Sequence, residues 1–111
     1  ATPVPFAGEL GPVREGMRAA VTSGTAVRLA DLPAPVGAKS GTAQDGGLRD
    51  DEYDYWMTAA APFDDPEIVV TALVQGGETA QPGPGTVVGD SLRHYLEHRP
   101  DVLAPGPVAT P

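Results

Sequence analysis

The sequence predicts an α+β domain in which a three-stranded antiparallel sheet is covered by an N-terminal and a C-terminal helix. Apolar residues recur at helical spacing within residues 13–21 and again within residues 88–96. Three segments between these helices have strand character, at residues 35–44, 55–62 and 67–75. The last two strands are separated by a short turn and predict a hairpin, which lies beside the first strand and completes the sheet.

Length and composition allow one folded core with loose ends. The chain has 111 residues, the size of one small domain, and 41% of them are hydrophobic. Prolines and glycines are frequent at the start of the chain, and a Pro/Ala/Gly-rich composition returns at its end. We therefore expect an extended or disordered lead at residues 1–12, a folded portion at residues 13–99 and a tail at residues 100–111.

Charge and cysteine content argue against several classes of function. The formal net charge is -8 and only seven residues are Lys or Arg, so we expect no nucleic-acid partner. The absence of cysteine excludes disulfides and thiolate metal sites. No apolar run approaches the length of about 18 residues that a membrane span needs, and the first residues lack a signal-peptide pattern. We interpret the chain as a fragment of a longer protein.

The first helix is predicted from two faces of opposite character. Its apolar face contains Val13, Met17, Ala20 and Val21, and its polar face contains Glu15, Arg18 and Thr22. Ser23-Gly24 is a typical end for such a helix, and a short helical or irregular crossing follows at residues 25–32. Pro33 and Pro35 then favour extended backbone that leads into the first strand.

The strand at residues 35–44 carries the candidate binding residues. Lys39 brings a compact positive charge, and the hydroxyls of Ser40 and Thr42 share one face because strand residues alternate. Gly41 between them has no side chain, so a substrate backbone can approach the main chain closely there. The combination predicts a substrate-facing edge strand that binds an anionic ligand.

The third strand is apolar on both of its faces and therefore requires cover on both sides. One face contains Ile68, Val70, Ala72 and Val74, and the other contains Val69 and Leu73. The final helix is the natural cover for one side, through its apolar face of Val88, Leu92, Tyr95 and Leu96.

Two polar clusters are predicted to be solvated, so we expect no metal site and no cofactor. The acidic residues 45–54 favour a flexible connection, because the ligand spacing of an EF-hand is absent. His94 and His98 have metal-compatible spacing on the final helix, yet they point away from its apolar face. No third ligand is near them in the sequence.

The sequence around Lys39 also has two other interpretations. A Walker phosphate loop requires a glycine directly before the lysine, where this chain has Ala38, and an earlier glycine that is also missing. The second is an exposed lysine at a strand end with incidental hydroxyls, which the tripeptide alone would favour.

Lys39-Ser40-Gly41 resembles the Lys-Thr/Ser-Gly box of the penicillin-recognising enzymes, the D,D-transpeptidases and serine β-lactamases. Flanking segments are similar to class B penicillin-binding proteins, in the same order, over residues 10–97. Those segments are Arg14-Glu15-Gly16-Met17-Arg18-Ala19-Ala20-Val21, Gly24-Thr25-Ala26, Tyr55-Trp56-Met57-Thr58-Ala59-Ala60-Ala61-Pro62, Asp64-Asp65-Pro66-Glu67 and residues 68–74.

The resemblance has departures that bear on the subfamily. Gly37-Ala38 precedes the box where the family usually has alanine and then glycine, and Ser40 replaces the commoner threonine. In the second strand, Met57 and Ala59 stand where the family usually has an aromatic residue and a glycine.

The resemblance implies that this chain is the C-terminal portion of a serine β-lactamase/transpeptidase-like domain. The family's nucleophile lies in a Ser-x-x-Lys sequence and a second partner in a Ser-x-Asn sequence, and this chain contains neither. The implied reaction is acyl transfer on the terminal D-Ala-D-Ala of a peptidoglycan stem peptide, with β-lactams as mimics. Lys39 would set a positive field, Ser40, Gly41 and Thr42 would bind the substrate, and the Thr42 backbone N–H would be an oxyanion donor.

The implied partners are the stem peptide, β-lactams and the remaining N-terminal part of the domain. The implied location is the extracytoplasmic face of the bacterial cell membrane, with the anchor outside this chain. Without the nucleophile, the chain alone should be inactive. The alternatives are a non-catalytic β-lactam-sensing or scaffold module of the same fold, and a serine β-lactamase, which would need an efficient deacylating base.

Overall fold

A computed structural model describes residues 2–44, 53–77 and 83–103 and has the α+β fold that the sequence predicts. Two helices pack on a three-stranded sheet, and short helical turns lie before, between and after these elements. In chain order the elements are a 3-10 turn at Ala7–Glu9, helix α1 (Gly11–Ser23), a 3-10 turn at Val27–Leu29, strands β1 (Gly37–Ala43), β2 (Tyr53–Ala61) and β3 (Ile68–Gly77), helix α2 (Pro84–Glu97) and helix α3 (Pro100–Leu103).

The sheet is antiparallel throughout, in the order β1-β2-β3, so β1 is an edge strand within the described part of the chain. Its register places Ser40 opposite Met57, and Met57 opposite Ala72. Directly paired residues point to the same face of a sheet, so these three side chains share one face.

The core lies against that face of the sheet. Met57 is 5% exposed and Ala72 is 9% exposed, and α2 packs against β2 and β3. The buried residues form one cluster to which both long helices and all three strands contribute: Val21, Ala26, Leu29, Leu32, Ala34, Val36, Ala38, Met57, Ala59, Ala61, Ala72, Val88, Leu92 and Leu96. The predicted apolar face of the final helix is confirmed, since Val88, Leu92 and Leu96 are fully buried.

The entry into β1 is held from two sides. The Arg18 guanidinium of α1 donates to the Val36 carbonyl at 2.8 Å, and the Phe63 N–H donates to the Pro35 carbonyl at 2.8 Å. Arg14 donates to the Phe63 carbonyl at 3.2 Å and lies over its ring, 5.3 Å from the ring centre. Helix α1 and the turn between β2 and β3 therefore fix together where β1 begins.

Helix α1 differs from the prediction at its start and in its faces. It begins at Gly11, two residues early, because Pro12 in its first turn is preorganised for helical backbone. Val13, predicted to be apolar cover, is 56% exposed because it lies in the first turn, ahead of the buried Val21. Arg18, predicted to face solvent, is half-buried because it bonds to Val36. The lead is also not wholly extended, since it contains the turn at Ala7–Glu9.

The ends of the other elements also differ from the predictions. Helix α2 begins at Pro84, ahead of the predicted helical residues 88–96, because Gly83 is extended and Pro84 opens the first turn. Helix α3 occupies Pro100–Leu103, where a tail was predicted. The predicted acidic connection lies outside the described residues, apart from Tyr53 and Asp54, as do residues 104–111 of the tail.

We expect Gly37→Ala to lower the thermal midpoint. An added Cβ would lie only 3.0 Å from Cδ1 of Phe63, whose ring and carbonyl Arg14 contacts, and at an ordinary 3.5 Å from Met17 Cβ. Such overpacking costs about 1 kcal/mol of unfolding free energy or more. Gly16→Ala is the matched control, because nothing lies within 4 Å of its added Cβ. In a helix this change should stabilise by about 0.5–1 kcal/mol.

Scanning calorimetry of both variants beside the unsubstituted protein measures this difference. A Gly37→Ala midpoint equal to or above that of Gly16→Ala would show that Phe63 does not constrain the start of β1.

Candidate functional site

Strand β1 divides its candidate residues between the two faces of the sheet. Ser40 and Thr42 lie on the core face, which confirms that their hydroxyls share one side. Lys39 and Gly41 lie on the opposite face, because Lys39 pairs with Thr58 and Gly41 pairs with Trp56. The structure therefore brings the two hydroxyls to one face, whereas Lys39, on the other face, lines a second cavity of about 410 Å³ to which Ser40 also contributes.

The two hydroxyls line a cavity of about 240 Å³, which we call the hydroxyl pocket. It lies between β1, the turn after α1 and the start of α2. Its lining includes Thr25, Arg28, Ser40, Thr42, Tyr55 and Gly85. A cleft with several hydroxyl donors and a guanidinium suits a small anionic group.

The hydroxyl pocket is connected to the turn after α1 by a side-chain hydrogen bond. Thr25 Oγ1 and Ser40 Oγ are 2.9 Å apart, and either oxygen can donate. The guanidinium of Arg28 donates to Thr86 Oγ1 in the first turn of α2. These contacts join three separate segments of the chain around one pocket.

The opposite side of the sheet has a different character. We call it the open face and define it by Lys39, Trp56, Thr58, Val69, Thr71 and Leu73. Three of its apolar side chains are exposed: Trp56 by 44%, Val69 by 66% and Leu73 by 45%. Thr58 and Thr71 join their hydroxyls at 2.9 Å across the β2–β3 pair. The exposed ammonium of Lys39 donates to the carbonyl of Ser40 at the edge of this face.

Gly41 lies at the centre of β1. The packing of the described residues does not require a glycine at this position. A Cβ at this position would contact only Trp56 Cβ, at an ordinary 3.7 Å. Its lack of a side chain therefore leaves open space at the edge of β1 that a ligand can use.

Sequence reasoning missed Thr25 and Arg28 as residues of the site. Thr25 was noted only as part of Gly24-Thr25-Ala26, and Arg28 only as part of a crossing segment. Two prolines separate them from β1 along the sequence, so no spacing rule places them beside Ser40. The signal that was available is that Arg28 is one of only seven basic residues in an acidic chain.

The described residues contain no group of three His, Asp or Glu side chains placed to hold a metal ion. His94 and His98 are exposed, as predicted, with ring centres 4.2 Å apart, and His98 Nδ1 is 2.7 Å from the His94 carbonyl oxygen. None of the helices in the described ranges is long and apolar enough to span a membrane.

The fold and the box strand define a class of protein. The family model of the penicillin binding protein transpeptidase domain matches residues 7–94, which include α1, all three strands and most of α2. The chain therefore belongs to the penicillin-binding protein transpeptidase family, and the resemblance seen in the sequence is confirmed.

Individual relatives agree with the family model. The chain is 35% identical over 89 residues to the peptidoglycan D,D-transpeptidase MrdA of Escherichia coli K12, and the match covers 68% of this chain. It is 30% identical over 83 residues to MrdA of Haemophilus influenzae, with 64% of this chain covered. The D,D-transpeptidase domain of a peptidoglycan glycosyltransferase from Eggerthella lenta has a similar structure, with a TM-score of 0.68, 28% identity and 80% of this chain covered.

The relatives are much longer than the matched region. The chain spans 13% of the length of both MrdA proteins and 20% of the solved Eggerthella lenta chain. It therefore corresponds to part of a transpeptidase domain.

Proposed function

We propose that this chain forms one wall of the active site of a serine-type D,D-transpeptidase, while another part of the same domain supplies the nucleophile. One observation carries the proposal: residues 7–94 match the transpeptidase family, yet Ser23, Ser40 and Ser91 each lack a lysine three residues later. A chain that has the box but no Ser-x-x-Lys can position a substrate and cannot attack it. The isolated chain is therefore inactive.

The hydroxyl pocket supports a role for Ser40 and Thr42 in substrate binding. Their hydroxyls face one cavity, and Thr25 lies 2.9 Å from Ser40 Oγ, where it can orient that hydroxyl toward an acceptor. Hydrogen bonds from hydroxyls to a carboxylate are charge-assisted and stronger than neutral ones. The carboxylate is that of the terminal D-Ala of a peptidoglycan stem peptide, or of a β-lactam that mimics it.

The edge position of β1 supports the Thr42 backbone N–H as an oxyanion donor. The Ser40 carbonyl accepts a hydrogen bond from Lys39 Nζ, as expected for a carbonyl at the free edge. In an antiparallel strand the N–H and C=O of one residue point to the same side, and the pattern repeats every two residues. The Thr42 N–H then points to the same edge, beside the space left by Gly41.

The open face supports a docking role toward the remaining N-terminal part of the domain. Trp56, Val69 and Leu73 expose apolar surface that β2 and β3 cannot cover themselves. Lys39 lies on this face, so a covering segment that carries the nucleophile would receive its positive field. The partner thus completes both the core and the catalytic constellation.

The proposed reaction is acyl transfer. The absent serine attacks the carbonyl between the two terminal D-Ala residues, and the last D-Ala leaves. β-Lactams form the same acyl bond and persist as an acyl-enzyme. Because the substrate is cell-wall peptidoglycan, we place the complete protein at the extracytoplasmic face of the cell membrane.

We expect the open face to be exposed to solvent in the isolated chain and buried in the complete domain. Trp56 is the single tryptophan of the sequence, so fluorotryptophan incorporated into this chain gives one resonance, from a side chain on that face. Its fluorine resonance should shift between H2O and D2O in the isolated chain, which should also bind a dye for exposed apolar surface. The solvent shift should vanish when the nucleophile-bearing part is present. A resonance that stays solvent-sensitive in an active, complete domain would contradict docking on this face.

We expect labelled penicillin to leave no covalent adduct on this polypeptide. The chain lacks the activated serine, so the label should appear only on the segment that supplies it. Mass spectrometry of the separated polypeptides shows which of them carries the label. A stable adduct mapped to Ser40 would reverse the role assigned to that residue.

In the complete domain we expect Lys39→Ala to slow acylation more than Thr42→Ala. The first change removes a charge, whereas the second removes one hydroxyl and keeps the backbone donor. Loss of a hydrogen bond to a charged group costs about 1.5–3 kcal/mol, about ten- to a hundredfold, and Thr42→Ala should fall there or below.

Ser40→Thr is the conservative control for these variants. It keeps the hydroxyl and should acylate at nearly the unsubstituted rate. Acylation rates with a fluorescent penicillin test the order. If folded Lys39→Ala were no slower than folded Thr42→Ala, Lys39 would not be the main source of the positive field.

A further inference from the structure

The hydroxyl pocket has a cation of its own, which is not Lys39. Arg28 lines the pocket together with Ser40 and Thr42, whereas Lys39 points to the other face of the sheet. Among the described residues of the pocket lining, Arg28 alone carries a charge. An anion that accepts hydrogen bonds from Ser40 and Thr42 on this side therefore meets the guanidinium first.

Arg28 is held in position by the first turn of α2. Its Cδ and Cγ lie 3.1 Å and 3.7 Å from the place where a Cβ on Gly85 would stand. Its guanidinium donates to Thr86 Oγ1, one residue further along the helix. The buried Gly85 thus provides the space that the arginine stem occupies. The N-terminal turn of a helix also carries a partial positive charge, which adds to that of the guanidinium.

We propose that Arg28 is a further substrate-binding residue that supplies the positive charge for the substrate carboxylate bound by Ser40 and Thr42. This inference rests on the proposed transpeptidase function. It assigns separate roles to two cations, whose side chains lie on opposite faces of the sheet. Arg28 binds the anionic end of the substrate, and Lys39 acts on the nucleophile across the open face.

The chemistry of the guanidinium fits this role. It has five N–H donors in a planar fork, and this geometry matches the two oxygens of a carboxylate. Arg28 is exposed in this chain, and exposed charge pairs contribute little. A bound substrate covered by the rest of the domain excludes water from the cleft and strengthens the pair.

The test compares a penicillin with its carboxyl methyl ester on the complete transpeptidase domain that contains this chain. We expect Arg28→Ala to lower the second-order acylation rate constant of the free acid on the order of tenfold, the lower end for a charged hydrogen bond. The acylation rate constant of the ester should not change, because the ester has no carboxylate for Arg28 to bind. The matched control is Arg93→Ala, which removes an equal charge from α2 but does not line the hydroxyl pocket.

Two further variants separate charge from packing. Arg28→Lys keeps the charge without the fork and should retain part of the preference for the acid over the ester. Gly85→Ala keeps Arg28 but occupies the space of its stem, and it should lower the acid rate while the helix stays folded. Thermal midpoints of all variants check that the domain remains intact.

Each remaining outcome overturns a specific statement. An Arg28→Ala domain that acylates the free acid normally would show that Arg28 does not bind the carboxylate. An equal loss for acid and ester would show that Arg28 is structural. An unsubstituted domain that forms no acyl-enzyme would overturn the proposed function itself, and the inference with it.

Discussion

The position of every candidate site residue on β1 depends on the phase in which the chain enters that strand. That phase is set where the Pro35 and Val36 carbonyls accept hydrogen bonds from Phe63 N–H and from the Arg18 guanidinium, each at 2.8 Å. Val36 and Ala38 then enter the core, so Ser40, two residues further on, faces the same side. A slip of one residue would send all of these side chains to the opposite face. The neutral bond from Phe63 contributes about 0.5–1.5 kcal/mol and the charged bond from Arg18 about 1.5–3 kcal/mol, and the burial of Val36 and Ala38 adds to them. Helix α1 and the β2–β3 turn therefore act on the site through the register, without contacting the substrate.

The same alternation explains why the sheet is half covered in this chain. Side chains in phase with Ser40 meet α2, whereas those in phase with Lys39 include exposed Trp56, Val69 and Leu73. Single exposed apolar side chains are common on proteins, but three of them on one sheet face form a surface that favours a partner. The catalytic lysine of the proposal lies on that surface. Completion of the fold and assembly of the active site are then one event, because the segment that buries the apolar side chains also meets the lysine.

Local period in the sequence predicted the faces of β1 and of α2, although it misplaced Val13 and Arg18 on α1. Strand alternation predicted that Ser40 and Thr42 share a face, and helical spacing predicted the buried Val88, Leu92 and Leu96. The sequence could not predict the residue positions that depend on contacts between distant segments of the chain. Arg18 was assigned to solvent by its position on the helix, yet the Val36 carbonyl lies within its reach. Arg28 belongs to the pocket because the turn at Val27–Leu29 packs against α2. The residues that complete the hydroxyl pocket are tertiary neighbours, which no spacing in the sequence encodes.

The net charge of the chain decides which interactions can hold its ligand. At -8, the molecule repels anions at long range, although salt screens that repulsion beyond about 8–10 Å. On the proposed function, an anionic stem peptide therefore gains no long-range attraction from the net charge of this chain. Its binding has to come from donors within hydrogen-bonding reach, and β1 presents them on both faces: Ser40, Thr42 and Arg28 on the core face, and Lys39 on the open face. Short-range donors of this kind affect dissociation more than encounter. On the proposed function, ligands are then selected by the placement of a carboxylate relative to the strand, which is the property that a β-lactam shares with the peptide it mimics.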